Sequence, residues 1–210
     1  MTDAVTTRRR DATRQRLLDA AAEVFAEVGL DAASVEAVCE RAGFTRGAFY
    51  SNFDSKDELF IELARRVTGE RLVAVQARVA ELEAEGSLEV SADSALGIVQ
   101  RVLDVAGDDR LGVLLLSEIR IRALRDPQLA QAYLAWDDEL LRSVTQIVAD
   151  IERSKGLRLR IPAAEAARVL VTTWDSATVR GTMAGLGYDE LCRRTNEDIA
   201  RAATLVLDLP

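Results

Sequence analysis

Apolar positions along the chain repeat at helical rather than strand spacing almost from end to end. From about Arg8 to Val28, the residues Leu17, Ala21, Val24, Phe25 and Val28 predict a first helix, with Gly29 ending it as a left-handed cap. Ser34 caps a second helix that carries Val35, Val38, Cys39 and Ala42 on one face, and Gly43 stops it. A very short third helix is predicted from about Thr45 to Asn52. Ser55-Lys56-Asp57-Glu58 has the form of a capping box and opens a fourth, with Leu59, Phe60, Leu63 and Val67 on its buried face, running to about Glu85. Gly86-Ser87 breaks the pattern.

Helices are predicted next near 91–107 and over 109–125, the second apolar nearly all round (LGVLLLSEI), as a central buried helix should be. Asp126-Pro127 is an N-cap followed by proline in the first turn, and it begins a long helix to about Ser154. Lys155-Gly156 ends that helix, RLRIP (158–162) is a loop, and two last helices fill about 163–186 and 188–208 around Gly187. No strand, repeat or low-complexity tract is legible. The predicted class is all-α, with about nine helices.

Composition refines this in one respect. Of 210 residues, 49% are hydrophobic and 30% charged, a globular balance, yet all five Phe fall between Phe25 and Phe60. A small, separately packed unit at the N-terminal end explains the clustering, since so short a stretch needs large side chains to bury enough area. The net charge of −8 argues against nucleic acid as a partner. Charge is unevenly spread, however: residues 1–16 hold Arg8, Arg9, Arg10, Arg14 and Arg16 against only Asp3 and Asp11.

The stretch 42–59, AGFTRGAFYSNFDSKDEL, concentrates the chemistry. Helix, glycine turn and short helix, braced by a longer one, is the helix-turn-helix layout. Val35, Val38, Cys39, Phe44, Phe49 and Phe53 supply its packing. On the outer face, Thr45 caps the third helix and meets a phosphate with its hydroxyl and backbone N–H. Arg46 reaches a base edge, with guanine favoured, or a phosphate. Gly47 permits close approach to the groove, and Tyr50, one turn on, offers a phenol. Asn52 and Lys56 follow as phosphate ligands, and Ser34 at the start of the second helix joins the set.

The run SVEAVCERAGFTRGAFYSNF (34–53) resembles the helix-turn-helix of TetR/AcrR-family transcriptional regulators, and 13–35 is similar to that family's first helix and entry loop. Asn52 stands where the family has His or Tyr. The resemblance covers about residues 10–62. Residues 1–9 are expected to form a disordered basic arm, while the resemblance implies a DNA-binding domain over 10–62 and a helical ligand-binding and dimerisation domain over 63–210. It also implies a homodimer on a palindromic double-stranded operator, most often a repressor released by a small-molecule effector. The alternative is a DNA-binding factor without small-molecule control, architectural or partner-recruiting.

For the second part, Ala177, Gly181 and Gly185 form a line of small residues suited to a partner helix, with Leu170, Ile199 and Ala203 completing a self-complementary face. Tyr133, Trp136 and Trp174, with Glu118, Asp137 and Thr173 as polar fixing points, are candidates for an apolar or amphipathic ligand site. The fourth helix is the expected link between ligand and head.

Catalysis is not expected. The chain has no His, so the commonest general base and metal ligand is missing, and neither Cys39 nor Cys192 has a histidine to activate it. No cofactor is expected. Two distant cysteines suit a reducing cytoplasm, the longest apolar run (Val113 to Leu116) is too short for a bilayer, and no signal-peptide core is present, so a cytoplasmic protein is expected.

Overall fold

The computed structural model describes residues 2–84, 110–155 and 158–208, and the expected helix near 91–107 lies outside them. The protein is all-α, and among the described residues there are eight helices. They are α1 (Thr2–Ala32), α2 (Val35–Ala42), α3 (Arg46–Tyr50), α4 (Lys56–Ala84), α5 (Arg110–Ala123), α6 (Pro127–Lys155), α7 (Ala163–Met183) and α8 (Tyr188–Val206). Helix α1 begins at Thr2, so the backbone of 2–9 is helical rather than the disordered arm expected. Its regular path breaks at Gly29, which takes φ 76°, ψ 173°.

Local chemistry accounts for most boundaries. Ser34 Oγ accepts from the Ala37 N–H at 3.1 Å at the start of α2, and Asp126 Oδ1 accepts from the Gln128 N–H at 2.9 Å at the start of α6. At α4, Ser55 Oγ takes the Glu58 N–H, while the Glu58 carboxylate reaches the N–H of Asp54 rather than that of Ser55. Helix α7 closes with Gly185 at φ 71° and a hydrogen bond from the Leu186 N–H to the Gly181 carbonyl, the Schellman arrangement.

The chain forms two compact units. The first comprises Met1–Val67 with Leu114–Trp136. It is built around Leu17, Leu18, Phe25, Val38, Phe49, Phe53, Leu59, Phe60, Leu115 and Ile119, all nearly inaccessible to solvent. Phe25 meets Phe60 edge to face at 6.2 Å, and Phe49 meets Phe53 at 5.7 Å. Each such ring contributes roughly 1.5–3 kcal/mol on burial, which is how a small head is held together.

The second unit comprises Thr68–Val113 with Asp137–Pro210. Its best-defined feature is the packing of α7 on α8, with Ala166, Ala167 and Gly181 buried from one side and Leu191, Thr195, Ile199, Ala203 and Val206 from the other. The 158–162 loop is tied down by an isolated antiparallel bridge, Leu159 to Leu207, with the Arg160 N–H donating to the Val206 carbonyl at 2.8 Å.

Candidate nucleic-acid interface

The turn between α2 and α3 is compact because two residues satisfy the backbone around it. Gly43 takes φ 71°, a conformation that favours glycine, and its N–H and that of Phe44 close the last turn of α2. Thr45 then caps α3, its Oγ1 accepting from the Ala48 N–H at 3.2 Å. The single turn of α3 is anchored by Phe49, which is fully buried. Arg46, Gly47 and Tyr50 lie along the solvent-facing edge of the same turn.

That edge has a defined arrangement. Arg46 is 61% exposed, and its Nη1 lies 2.7 Å from Oε1 of Glu36, which projects from the first turn of α2. The guanidinium carbon sits 5.9 Å from the centre of the Tyr50 ring. The Tyr50 phenol and then Glu36 favour the charged guanidinium and raise its pKa above the ordinary arginine value. Tyr50 itself rests edge-on against Phe49 at 5.3 Å. Ser34 is exposed and Thr45 is exposed, each with its hydroxyl oxygen engaged in a cap.

Two of the expected phosphate ligands belong to the scaffold instead. Asn52 is buried, and its side-chain amide donates to the Ala48 carbonyl at 2.8 Å, so it faces the core and not a phosphate. Lys56 Nζ donates to the Leu30 carbonyl at 3.0 Å. Burial, and then the nearby Arg122, pull the Lys56 pKa below the usual lysine value against the opposing pull of Asp57 and Asp31. Both residues fix the head.

Sequence reasoning passed over several residues that fix it too. Arg14 lies 4.3 Å over the Phe53 ring, donates to the Asn52 carbonyl and pairs with Glu62 at 3.4 Å. Arg16 covers the Phe44 ring at 4.7 Å and donates to the Ala42 carbonyl at 2.9 Å. Arg41 bridges to Glu23 and Glu27 at 3.0 and 2.7 Å. The helical offset of Arg14 from the buried Leu17 and Leu18 was the available signal for the first of these.

Of the residues expected to line a ligand site, Glu118 serves the first unit. Its Oε2 accepts from the Leu30 N–H at 2.7 Å, beside Gly29, so it is a structural acceptor rather than a pocket group. Four residues further along α5, Arg122 pairs with Asp57 at 3.0 Å. Tyr133 accepts from Arg120 Nε at 3.0 Å and lies 5.2 Å from the buried Trp136, also in the first unit. Asp137, Thr173 and Trp174 belong to the second unit, where Arg71 stands 5.5 Å from the Trp174 ring and Thr173 bonds its own helix at the Val169 carbonyl.

The expected partner face is also largely used internally. A Cβ on Gly181 would lie 2.5 Å from Leu191 Cδ1, so this glycine serves the contact of α7 with α8. Gly185 is a helix cap, and Ile199 and Ala203 are buried within the chain. Leu170 and Ala177 keep partial exposure. Among the described residues no group of three or more His, Cys, Asp or Glu is placed to hold a metal, and no helix is long and apolar enough to cross a membrane.

A capped helix-turn-helix with a cationic, aromatic outer edge on an all-α scaffold defines a DNA-binding transcriptional regulator. Residues 17–63 match the family model described as bacterial regulatory proteins, tetR family. The HTH-type transcriptional repressor Rv1474c of Mycobacterium tuberculosis is 29% identical over 153 residues, covering 72% of this chain and 73% of that protein. Among solved structures, FadR of Bacillus subtilis, in complex with stearoyl-CoA, matches with a TM-score of 0.67 at 19% identity, covering 90% of this chain and 97% of that one. The multidrug binding protein EbrR, complexed with imidazole, matches at 0.61 and 26%, covering 94% and 90%. Residues 17–63 thus carry the DNA-binding domain of the tetR family of bacterial regulatory proteins, and the solved structures share the fold of the chain.

Proposed function

We propose that this protein is a cytoplasmic repressor that binds a palindromic operator as a homodimer and leaves it on binding a small apolar or amphipathic ligand. The observation that carries DNA reading is the α3 edge, where Thr45, Arg46, Gly47 and Tyr50 are exposed together while Phe49 pins the helix from behind. Ser34 adds an exposed hydroxyl at the start of α2. In this reading 10–62 is the DNA-binding domain and 63–210 carries ligand and dimer functions.

One five-residue helix makes too few base contacts to find a site in a genome, so two copies reading half-sites about 34–36 Å apart are required. Leu170 and Ala177 keep partial exposure on α7, and Leu205 on α8 is 73% exposed, which supports a contact through these helices. Repression is supported by the name of the Mycobacterium tuberculosis relative, matched along most of both chains. Ligand control is supported by the stearoyl-CoA and imidazole complexes of the two structural neighbours and by Trp174 with Arg71 in the second unit.

Selection of bound fragments from random DNA tests the reading directly. An inverted repeat should emerge, and binding to the full site should be far tighter than to one half. Equal affinity for a single half-site would remove the dimer-operator reading. Acyl-CoA and cationic drug panels then test release: a compound that binds by calorimetry and leaves operator affinity unchanged argues against ligand control.

A further inference from the structure

The ion pair on the reading edge poses a problem. A carboxylate beside the leading base-reading arginine repels DNA phosphates, and an exposed pair of this kind contributes little to folding. Glu36 is 59% exposed, lies outside the buried core, and pairs with Arg46 across two different helices. The geometry points to Glu36 as a specificity-determining residue that, together with Arg46, reads one G·C base pair in the major groove. This rests on the proposed DNA reading by α3.

The argument is one of matched order. In the major groove a G·C pair offers two acceptors from guanine, N7 and O6, and next to them the N4 amino donor of cytosine. O6 and N4 are hydrogen-bonded to each other, at the usual separation of about 2.9 Å. The edge of the protein presents guanidinium donors and then carboxylate acceptors, with Nη1 and Oε1 separated by 2.7 Å. Arg46 takes guanine O6 and N7, and Glu36 takes the cytosine amino group. The Tyr50 ring also lies beside the guanidinium, its centre 5.9 Å from the guanidinium carbon.

The same arrangement repels two of the three alternatives, while T·A, whose O4 and N6 amino group keep the order of O6 and N4, loses the N7 bond and presents the thymine methyl in its place. Turning the pair to C·G sets the carboxylate against guanine O6. An A·T pair sets an amino donor against the guanidinium and thymine O4 against the carboxylate. In each case charge faces like charge, so discrimination arises from repulsion as much as from attraction.

The test is binding of the full-length protein to selected operators in which one position, the one relaxed by Arg46→Ala, carries each of the four base pairs in turn. The wild type should prefer G·C by roughly tenfold or more. Glu36→Ala should reduce that preference to about threefold or less at this position alone, while binding to unrelated DNA becomes tighter as a negative charge is lost. Glu36→Gln, which keeps one acceptor oxygen, should retain part of the preference, and it carries the test if the alanine variant folds poorly by circular dichroism. If Glu36→Ala strengthens binding to all four operators by one common factor, Glu36 is only a counter-ion and the inference falls. Equal affinity of the wild type for every DNA tested would instead remove the regulator reading itself.

Discussion

Arg46→Ala and Lys56→Ala separate two kinds of basic residue in the head. Arg46 is exposed and held between Glu36 and Tyr50, so its loss is expected to flatten sequence preference, by roughly 1–3 kcal/mol on the best operator, with the melting temperature unchanged. Lys56 is bonded to the Leu30 carbonyl, so its loss should lower the melting temperature first and DNA affinity only in consequence. Competition binding with thermal melting on the same preparations checks both. The distinction was not legible in the sequence: Lys56 and Asn52 have side chains suited to phosphate, and nothing local reveals that a carbonyl is within reach. The exposure of Arg46 was easier to expect, since it directly follows the cap of a five-residue helix that buries one side chain, Phe49.

At the level of helices, the caps at Ser34, Gly43 and Thr45 were read correctly because they are local chemistry, a hydroxyl or a glycine within four residues of the groups it satisfies, whereas α1 continues past its expected stop at Gly29 to Ala32. Contacts across the chain were not legible. Glu118 and Leu30 are 88 positions apart, and no pattern links them. Glu118→Ala is expected to release the Leu30 N–H and increase amide exchange through Gly29–Ala33, while Glu118→Gln retains an acceptor and most of the protection.

The line of small residues on α7 is ambiguous by its nature, since it suits either a partner chain or a neighbouring helix. Gly181 settles it for one position: Gly181→Val should cost roughly 1–3 kcal/mol in denaturant unfolding, because Leu191 fills the space. Gly69, inside α4 with nothing near its Cβ position, should respond with the opposite sign, Gly69→Ala stabilising by about 0.5–1 kcal/mol. On α8, Arg193 and then Arg194 hold the Glu190 carboxyl at about 2, below its ordinary 4.5. A lowered acid stabilises the fold only when ionised. The stability difference between wild type and Glu190→Gln should therefore be full above pH 4.5 and vanish as pH falls through about 2.

For the molecule as a whole, DNA affinity should fall with salt in proportion to the phosphates neutralised, with a slope near −0.9 for each. Titration of operator binding between low and high salt measures that number. A modest slope is expected from this head, since Arg14, Arg16, Arg41 and Lys56 are bonded to the protein itself. The net charge of −8 pushes the same way. The all-α architecture followed from helical periodicity. The inclusion of Leu114–Trp136 in the same unit as the head did not, because that association depends on side chains meeting across distant parts of the chain.

The inward commitment of those basic side chains has a kinetic corollary. On the proposed DNA reading, a head with these four side chains bonded to its own framework is expected to grip arbitrary duplex loosely. Its dwell time on a chromosome is then expected to follow whether the outward groups of α3 find their match.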